Sequence, residues 1–303
     1  MEKATIVHNP AARNSPTRAR LAAAAATLRD DGWEIGVIST DGPAQAMALA
    51  REAAAAGASV VFAAGGDGTI NEVANGLAGG DCALGVVRGG MGDVFAKEVG
   101  ISRRPEEALR LLVTGERRRF DLGLAGERYF LLMCGIGFDA SVVKRERPRL
   151  KQRLGSASYV VMGMREVVRF KPEHTRLKLD GVEHEAELYW ALLSNTRSYG
   201  GVVDIARDAK VDDGLLDAYV FEGRGVLRVA STAARVIAGR HTGTRGVTSQ
   251  RLQEFEVLTP GIGVQADGEY FGETPLKVGI APAALDVLLP RGGKASRLFA
   301  DAG

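Results

Sequence analysis

Cysteine is scarce in this chain of 303 residues, which contains only Cys82 and Cys134. Small secreted domains held by disulfide bridges carry many more cysteines, and neither cysteine has histidine neighbours at the spacing of a zinc site. These two absences exclude a disulfide framework and a structural zinc site as the basis of the fold.

Long apolar runs are missing as well, since no stretch reaches the eighteen or so residues needed to span a membrane. The first residues, Met1–Val7, lack the charged and then apolar pattern of a secretion signal. We therefore expect a cytoplasmic protein that meets membranes only at their surface.

An excess of charge of one sign is also missing, because 39 lysines and arginines face 37 aspartates and glutamates, a formal net charge of +2. This balance argues against nucleic acid as a partner, since nonspecific binding to its phosphates needs a broadly basic surface. The length fits about two domains. The proportions of hydrophobic residues (46%) and charged residues (25%) are ordinary for a globular protein.

The first third of the chain alternates short apolar runs with helix-like segments. The first helix pattern has Ser15 as its predicted N-cap, followed by Pro16. Strand–helix alternation with short links predicts right-handed crossovers and a doubly wound parallel sheet with helices on both faces. The predicted strands are Ala4–Val7, Trp33–Ser39, Val60–Ala64 and Ala83–Val87.

After about residue 120 the pattern changes to short strand candidates separated by turn residues, which is typical of antiparallel pairing. Helix patterns near 151–170 and 225–239 interrupt them. The sequence thus predicts an α/β nucleotide-binding domain at 1–122 and a mainly antiparallel β-sandwich domain with helical insertions at 123–303. The last residues are candidates for returning to the first domain. The strand candidates are Phe120–Leu124, Tyr129–Cys134, Thr175–Leu179, Glu187–Ser194, Leu216–Phe221, Gln253–Leu258 and Ala284–Leu289.

The apolar run Val60–Ala64 leads directly into Gly65-Gly66-Asp67-Gly68 and then into a helix pattern. Glycines let backbone amides come close to a phosphate, and the positive end of a helix dipole adds to the attraction. Because Asp67 would repel a phosphate, its presence implies a magnesium ion between them. The alternative is a glycine-rich turn with a helix-capping aspartate, but three glycines after a buried strand favour the phosphate site.

This loop has neither the dinucleotide-binding spacing nor a Walker-type lysine motif. Gly65–Thr69 instead resembles the Gly-Gly-Asp-Gly-Thr signature shared by lipid kinases, NAD kinases and, more loosely, phosphofructokinases, and the Gly-Ser-Thr-Ala-Tyr segment of NAD kinases is missing. Further segments, in the expected order along nearly the whole chain, resemble the diacylglycerol kinase family, which includes sphingosine and ceramide kinases. They are Asn9-Pro10, Thr40, Asn71–Leu77, Gly135–Ala140, Ser194–Thr196, Tyr199–Gly201, Lys210–Asp217 and Gln265–Glu269.

The resemblance implies a lipid kinase with ATP and Mg²⁺ as cofactors and a lipid alcohol as substrate. It implies that Asp67 and Asp121 organise the catalytic magnesium, although Asp121 is equally well explained as a solvated turn carboxylate. The family's nucleotide contacts match Asn9, Pro10, Thr40, Gly65, Gly66, Asp67, Gly68, Thr69, Ile70, Asn71, Glu72, Gly90, Met91 and Gly92.

Asp267-Gly268-Glu269 lies between two strand-like segments. The resemblance implies that Asp267 or Glu269 is the general base that takes the proton of the acceptor hydroxyl. A simple hairpin turn is the alternative, since Asp-Gly is a favoured dipeptide there. The resemblance also implies a structural magnesium ion held by Asp213 and the backbone carbonyls of Lys210 and Leu215. Paired aspartates before a glycine are, however, common in ordinary turns.

One segment departs from the family, which usually has Pro-x-Gly-Thr-x-Asn where this chain has Arg88-Gly89-Gly90-Met91-Gly92-Asp93. Met91 lacks the hydroxyl donor of threonine. Asp93 would repel phosphate unless a cation intervenes, and Arg88 could recover part of that loss if it turned inward. We therefore expect weaker nucleotide handling, and a nucleotide sensor without turnover stays an alternative to the kinase.

Lys144–Arg153 packs six basic residues and one acidic residue into ten positions, and an apolar segment follows it. Such a patch predicts attachment to an anionic membrane surface, with a solvated loop before a core helix as the alternative. The preferred acceptor is diacylglycerol, which would give phosphatidic acid. A sphingoid base, a ceramide or a soluble alcohol is the alternative acceptor, and a homodimer stays open.

Overall fold

The computed structural model describes residues 2–145, 170–201, 203–223, 231, 235 and 246–300. The helices predicted near 151–170 and 225–239 fall almost entirely outside these residues. The chain divides into two compact units, the first formed by residues 1–122 and 282–303 and the second by residues 123–281. Among the described residues, no helix is both long enough and apolar enough to cross a membrane.

The first unit alternates strands and helices, as predicted. The strands β1 to β4 are all parallel, in the spatial order β2-β1-β3-β4, and the end of β17 pairs in parallel with β4. The elements are β1 (Lys3–His8), α1 (Arg18–Arg29), β2 (Glu34–Ser39), α2 (Gln45–Ala55), β3 (Val60–Gly65), α3 (Asp67–Leu77), β4 (Ala83–Arg88), α4 (Val94–Glu98), α5 (Pro105–Leu109), α6 (Leu111–Thr114), the start of β5 (Glu116–Ala125), the end of β17 (Leu276–Leu289) and a 3₁₀ helix (Lys294–Leu298).

The strand β3 is buried at all of its residues. A strand covered on both faces of a parallel sheet needs an apolar side chain at nearly every position, so its sequence gives a continuous apolar run. The predicted N-cap of α1 was wrong by two residues. Thr17, not Ser15, caps this helix, and its Oγ1 accepts a hydrogen bond from the Arg20 amide at 3.2 Å.

The second unit is mainly antiparallel, as predicted, and includes strands that the sequence reading missed, such as β13. The spatial order of its main sheet is β16-β15-β7-β9-β8-β14-β17, with β12 joining β9 to β13. The elements after β5 are β6 (Arg128–Phe130), β7 (Met133–Gly137), α7 (Phe138–Lys144), β8 (Glu173–Leu179), β9 (Val182–Ser194), β10 (Ser198–Tyr199), β11 (Val203–Asp204), β12 (Leu216–Glu222), β13 (Val247–Leu252), β14 (Glu254–Val257), β15 (Gly263–Ala266), β16 (Glu269–Glu273) and the start of β17.

The core of this second unit is a single apolar cluster drawn from most of its strands, with Phe130, Leu193 and Phe255 fully buried. The alternation of buried and exposed residues in β8 is the period of two that a strand with one solvated face requires. The long strand β9 pairs with β7, β8 and β12, and so organises the sheet around its central residues.

Candidate active site

The first glycine loop, residues 65–68, lies at the carboxyl end of β3, the edge of a parallel sheet where ligands usually bind. Gly65 has no room for a side chain, since a Cβ there would lie 2.5 Å from Thr69 Oγ1. That hydroxyl accepts a hydrogen bond from Asn9 Nδ2 at 3.0 Å. The structure therefore brings together Asn9, Gly65 and Thr69, three of the residues predicted to bind nucleotide.

The second glycine loop, residues 89–93, follows the neighbouring strand β4 and packs against the first. A Cβ on Gly90 would lie 2.7 Å from the Cα of Gly66, and a Cβ on Gly92 would lie 3.0 Å from Asp67 Oδ2. Gly90 is thus required by the close approach of the two backbones, whereas Gly92 leaves room for the Asp67 carboxylate. The paired loops form a surface of backbone groups, which suits the phosphates of a nucleotide.

Asp67 is the first residue of α3, but its side chain serves another helix. Its Oδ1 accepts a hydrogen bond from the Phe95 amide, at the start of α4, at 3.2 Å. Because α4 directly follows the second glycine loop, Asp67 ties the two loops together. The alternative prediction, a helix-capping aspartate, therefore describes one contact of Asp67. The helix that it caps is α4 and not its own helix, α3.

The segment that departs from the family, Arg88–Asp93, contains an arginine that forms an ion pair with its aspartate. Asp93 is buried, with Oδ2 3.1 Å from Arg88 Nε and Oδ1 accepting a hydrogen bond from the Gly90 amide at 2.8 Å. The backbone of Asp93 lies in the left-handed region, with φ of 46°. Arg88 therefore supplies the cation that neutralises Asp93, a pairing that the sequence did not predict.

The loop between β1 and α1 also reaches the glycine loops, which the sequence reading missed. The Asn14 amide donates to the Gly89 carbonyl at 2.9 Å, and Asn14 Nδ2 donates to the Gly90 carbonyl at 2.9 Å. Arg13 Nη1 lies 3.4 Å from Met91 Sδ. The signal was available in the topology, since this loop leaves β1 at the same edge of the sheet.

Three other predicted nucleotide residues have contacts within the protein. Thr40 is buried and its amide donates to the His8 carbonyl at 2.8 Å. Glu72 Oε2 accepts from the Ala46 amide at 2.9 Å, in the first turn of α2. The Ile70 side chain is fully buried in the core, so it cannot reach a ligand at the surface.

Asp121 is not a solvated turn carboxylate, since it is buried within β5. Its Oδ1 accepts a hydrogen bond from the Ala283 amide at 2.6 Å. Ala283 has a positive φ of 50°, a strained conformation for a residue with a side chain. Asp121 therefore stabilises an irregular point of β17, whatever further part it has at a magnesium ion.

Asp267 and Gly268 form the two-residue turn of the hairpin β15–β16, with positive φ angles of 49° and 83°. Positive angles at both positions are the mark of the type I′ hairpin turn that Asp-Gly favours. The alternative prediction of a hairpin turn at Asp267-Gly268 is therefore confirmed. It does not exclude a catalytic role, since the same turn positions two carboxylates.

The carboxylate of Asp267 is bound by three consecutive backbone amides. It accepts hydrogen bonds from Leu131 at 2.8 Å, from Leu132 at 2.8 Å and from Met133 at 3.0 Å. These amides lie at the break between β6 and β7, where one continuous strand had been predicted. The strand divides there because these amides turn toward Asp267.

Glu269 has a different environment from Asp267. Its side chain is 46% exposed, and Oε2 lies 2.5 Å from Arg128 Nη2. A general base must be reachable by its substrate. The structure thus separates the two carboxylates into one that is bound within the protein and one that is open to solvent.

A buried polar chain lies behind the turn. The Gly268 amide donates to Gln265 Oε1 at 2.7 Å, Gln265 Nε2 donates to Asp139 Oδ2 at 2.7 Å, and Tyr199 OH donates to Asp139 Oδ1 at 2.9 Å. Burial raises the pKa of the Asp139 carboxyl, while the donors Gln265 and Tyr199 act in the opposite direction. Sequence reasoning placed Asp139, Gln265 and Tyr199 in family-like segments without giving them a role.

Asp213, the predicted structural magnesium ligand, lies in a turn with Gly214 at a φ of 71°. Its Oδ1 accepts from the Leu215 amide at 3.0 Å, and its Oδ2 forms an ion pair with Arg251. Each of these oxygens has a second lone pair that can accept a further bond. A magnesium ion held by Asp213 and the backbone carbonyls of Lys210 and Leu215 therefore stays a prediction.

No group of three or more His, Cys, Asp or Glu side chains converges on a common point within residues 2–145, 170–201, 203–223 and 246–300. Magnesium in phosphoryl-transfer sites is usually held by one or two carboxylates together with substrate phosphates and water. Asp67, next to the glycine loops, fits that pattern.

Lys144, the first residue of the predicted basic patch, lies at the end of α7, and its side chain contacts two other residues of the protein. Its Nζ lies 3.1 Å from Tyr270 OH and 3.1 Å from Glu273 Oε1. The ion pair reduces the charge that Lys144 offers to a membrane. Residues 146–153 of the patch lie outside the described residues.

Comparison with known proteins gives consistent matches. The diacylglycerol kinase catalytic domain model matches residues 3–125, and the YegS C-terminal NAD kinase beta sandwich-like domain model matches residues 133–289. The diacylglycerol kinase of Mycobacterium tuberculosis is 32% identical over 298 residues, which cover 96% of each chain. A protein from Pseudomonas putida named probable lipid kinase YegS-like is 32% identical over 290 residues, which cover 95% of each chain.

The fold is also found among solved structures. The crystal structure of a diacylglycerol kinase from Bacillus anthracis matches with a TM-score of 0.76 and covers 96% of this chain and 98% of its own. The sequence identity is 22%, so this match bears on the fold alone. It agrees with the α/β architecture and the antiparallel strands described above.

Proposed function

The chain belongs to the diacylglycerol kinase catalytic-domain family and is a lipid kinase, and we propose that it transfers the γ-phosphate of ATP to the hydroxyl of diacylglycerol. The product would be phosphatidic acid. The observation that carries this proposal is the pair of glycine loops, whose backbones meet at Gly66 and Gly90 beside Asp67. Phosphoryl transfer depends mainly on positioning and charge neutralisation, which such loops provide.

In this proposal the two glycine loops bind the phosphates through backbone amides, and Asn9 and Thr69 fix the first loop through their hydrogen bond. Asp67 would hold the nucleotide's magnesium ion, which would neutralise charge on the transferred phosphate. The bond between Asp67 and the Phe95 amide keeps the carboxylate at the junction of the loops.

Glu269 is the general base of the proposal. It is exposed, whereas the three amides on Asp267 direct the lone pairs of that carboxylate into the protein. Arg128 beside Glu269 orients its carboxylate. Asp267 then acts as a positioning residue, because it fixes the turn that directly precedes Glu269.

Diacylglycerol is the preferred acceptor because the Mycobacterium tuberculosis relative, 32% identical to this chain, carries the name diacylglycerol kinase. A sphingoid base or a ceramide is the alternative acceptor. The test is incubation with γ-labelled ATP, Mg²⁺ and a total lipid extract, followed by mass spectrometry of the labelled product. Labelled phosphatidic acid supports the proposal, and a labelled sphingolipid would replace the acceptor.

Two variants make this test specific to the site. Glu269→Gln should lose transfer, since an amide cannot accept the hydroxyl proton as a base does. Glu127→Gln, at an exposed residue of the β5–β6 turn, is the matched control and should keep wild-type activity. Tight ATP binding with no labelled product from the wild type would instead indicate a nucleotide sensor.

Attachment to a membrane surface through residues 146–153 belongs to the same proposal, since the acceptor is a lipid. Each basic residue near an anionic surface contributes about 1 kcal/mol. Reversing Arg147, Arg149 and Lys151 to glutamate should weaken binding to phosphatidylserine vesicles while leaving activity on a short-chain, detergent-dispersed lipid intact. Reversal of three exposed residues, Arg103, Arg104 and Arg110, is the charge-matched control. Equal vesicle binding by both triple variants would refute the proposed surface.

A further inference from the structure

We propose that Asp139 and Gln265 are positioning residues that fix the catalytic turn from behind, by a buried hydrogen-bonded relay that ends on the Gly268 amide. The relay is Tyr199–Asp139–Gln265–Gly268, and its last member is adjacent to Glu269. This inference rests on the proposed function, in which Glu269 is the general base. It adds two residues that touch neither nucleotide nor acceptor.

The first step of the relay is at the turn itself. The Gly268 amide donates to Gln265 Oε1, three positions earlier in the chain, at 2.7 Å. The other side of the turn is held by Asp267, whose carboxylate accepts three backbone amides. The turn is therefore anchored at both of its residues, and Glu269 projects from a backbone that is fixed on each side.

The second step sets the orientation of the Gln265 amide. Its oxygen must face the Gly268 amide, which can only donate, so its nitrogen faces Asp139, whose Oδ2 accepts. The distance from Gln265 Nε2 to Asp139 Oδ2 is 2.7 Å. Asp139 thus makes the productive orientation of Gln265 the only one in which both contacts are satisfied.

The third step fixes Asp139. Tyr199 OH donates to its Oδ1 at 2.9 Å, and both Asp139 and Gln265 are almost fully buried. Gly135 lies directly under the pair, and a Cβ there would overlap Asp139 Oδ2. The glycine leaves the space that the relay fills, so the site is fitted to these two side chains.

A carboxylate buried in this way is not explained by stability. Burial raises the pKa of Asp139, which means that ionisation is less favourable in the folded protein than in the unfolded chain. Folding is therefore disfavoured wherever this group is ionised, and the neutral isostere asparagine would remove that cost. Orientation of Gln265 is the benefit that accounts for the buried carboxyl group.

The test exchanges the carboxyl group and the amide group between positions 139 and 265. In Gln265→Glu, two carboxylates would oppose each other at the position of a 2.7 Å contact, and the turn should shift. In the double variant Asp139→Asn with Gln265→Glu, the asparagine amide donates to the new glutamate, and its oxygen still accepts from Tyr199. The glutamate's second oxygen still accepts from the Gly268 amide, so every contact is restored with the charge moved.

We expect kcat to fall by about 100-fold in Gln265→Glu, because a small displacement of a reacting group costs about that much. The double variant should recover to within about tenfold of the wild type. The KM for ATP should stay unchanged in both variants, since the nucleotide is bound by the glycine loops. Assays are made well below each variant's unfolding midpoint, so that a loss of folded protein cannot account for a change in kcat.

The relay is refuted if Gln265→Glu keeps kcat within about threefold of the wild type, or if the double variant is no better than the single one. A rise in the KM for ATP equal to the fall in kcat/KM would also refute it. Failure of the proposed function is a separate outcome, in which the wild type phosphorylates no lipid. Hydrogen exchange of the Gly268 amide then tests the relay alone, with faster exchange expected in Gln265→Glu and protection restored in the double variant.

Discussion

The two glycine loops follow neighbouring strands of one sheet, yet the aspartates of the two loops have different hydrogen-bond partners. Asp67, in the loop that keeps the family signature, uses Oδ1 to bind the Phe95 amide outside its own loop. Asp93, in the loop that departs from it, bonds only nearby groups, with one oxygen on the Gly90 amide of the same loop and the other on the guanidinium of Arg88, the last residue of β4.

This difference shows how a changed loop can keep its shape. Proline and asparagine in the family segment are replaced here by a buried ion pair, and the backbone still approaches Gly66 closely. The two residues that differ from the family, Arg88 and Asp93, act as one pair. A prediction made for each substitution separately does not detect that pairing. Arg88 and Asp93 alter the construction of the loop more than the charge that it presents to a nucleotide.

The largest effect should come from breaking that ion pair. Arg88→Met leaves Asp93 buried and without its cation, which costs about 3–5 kcal/mol of unfolding free energy. Arg88→Met combined with Asp93→Asn should recover most of the loss, because no buried charge is left unpaired. Urea unfolding of the wild type and the variants in a double-mutant cycle measures both values. A loss in the double variant equal to the sum of the losses in Arg88→Met and Asp93→Asn would show that the pair is not coupled.

The next effect is on catalysis and belongs to the first loop. Asp67→Asn keeps an oxygen for the Phe95 amide but removes the charge proposed to hold magnesium, and kcat should fall by about 100- to 1,000-fold. The unfolding midpoint should change little. Asp81→Asn is the control, because that exposed carboxylate lies away from the loops and its loss should leave kcat at the wild-type value. Activity of Asp67→Asn within about tenfold of the wild type would remove Asp67 from the magnesium site.

The sequence predicted the parts of this comparison that depend on local pattern. The four parallel strands, the glycine loop after β3 and the hairpin at Asp267 follow from apolar periodicity and turn chemistry within a few residues. The helix cap at Thr17 was displaced by two residues, because Ser15 and Thr17 offer the same hydroxyl and only the backbone path distinguishes them.

The contacts that give the site residues their roles were not predictable in this way. Asp267 binds amides up to 136 positions away, and Asp121 binds an amide 162 positions away. No local period connects such residues, and only the folded sheet brings them together. The pairing of Arg88 with Asp93 spans five positions but depends on a left-handed backbone at Asp93, which an aspartate adopts only where its surroundings require it.

The smallest expected effect is at Met91, in the centre of the departing loop. Its sulfur lies 3.4 Å from Arg13 Nη1 and can act only as a weak acceptor. A threonine there would add a hydroxyl that can donate to a charged phosphate oxygen, a bond that contributes about 1.5–3 kcal/mol. Because the hydroxyl also exchanges its bonds with water and Arg13 must find a new position, we expect the lower end of this range. Met91→Thr should therefore lower the KM for ATP by about tenfold and leave kcat unchanged.

Met91→Val is the matched control for that change, since it has the branched shape of threonine without the hydroxyl, and its KM for ATP should not fall. Arg13→Ala tests the other member of the contact, and it should raise the KM for ATP more than the KM for Mg²⁺, because an exposed guanidinium beside the loop attracts the nucleotide's phosphates. An equal KM in Met91→Thr and Met91→Val would mean that this loop binds the nucleotide through its backbone alone. The second glycine loop would then differ from the first in its construction and not in its function.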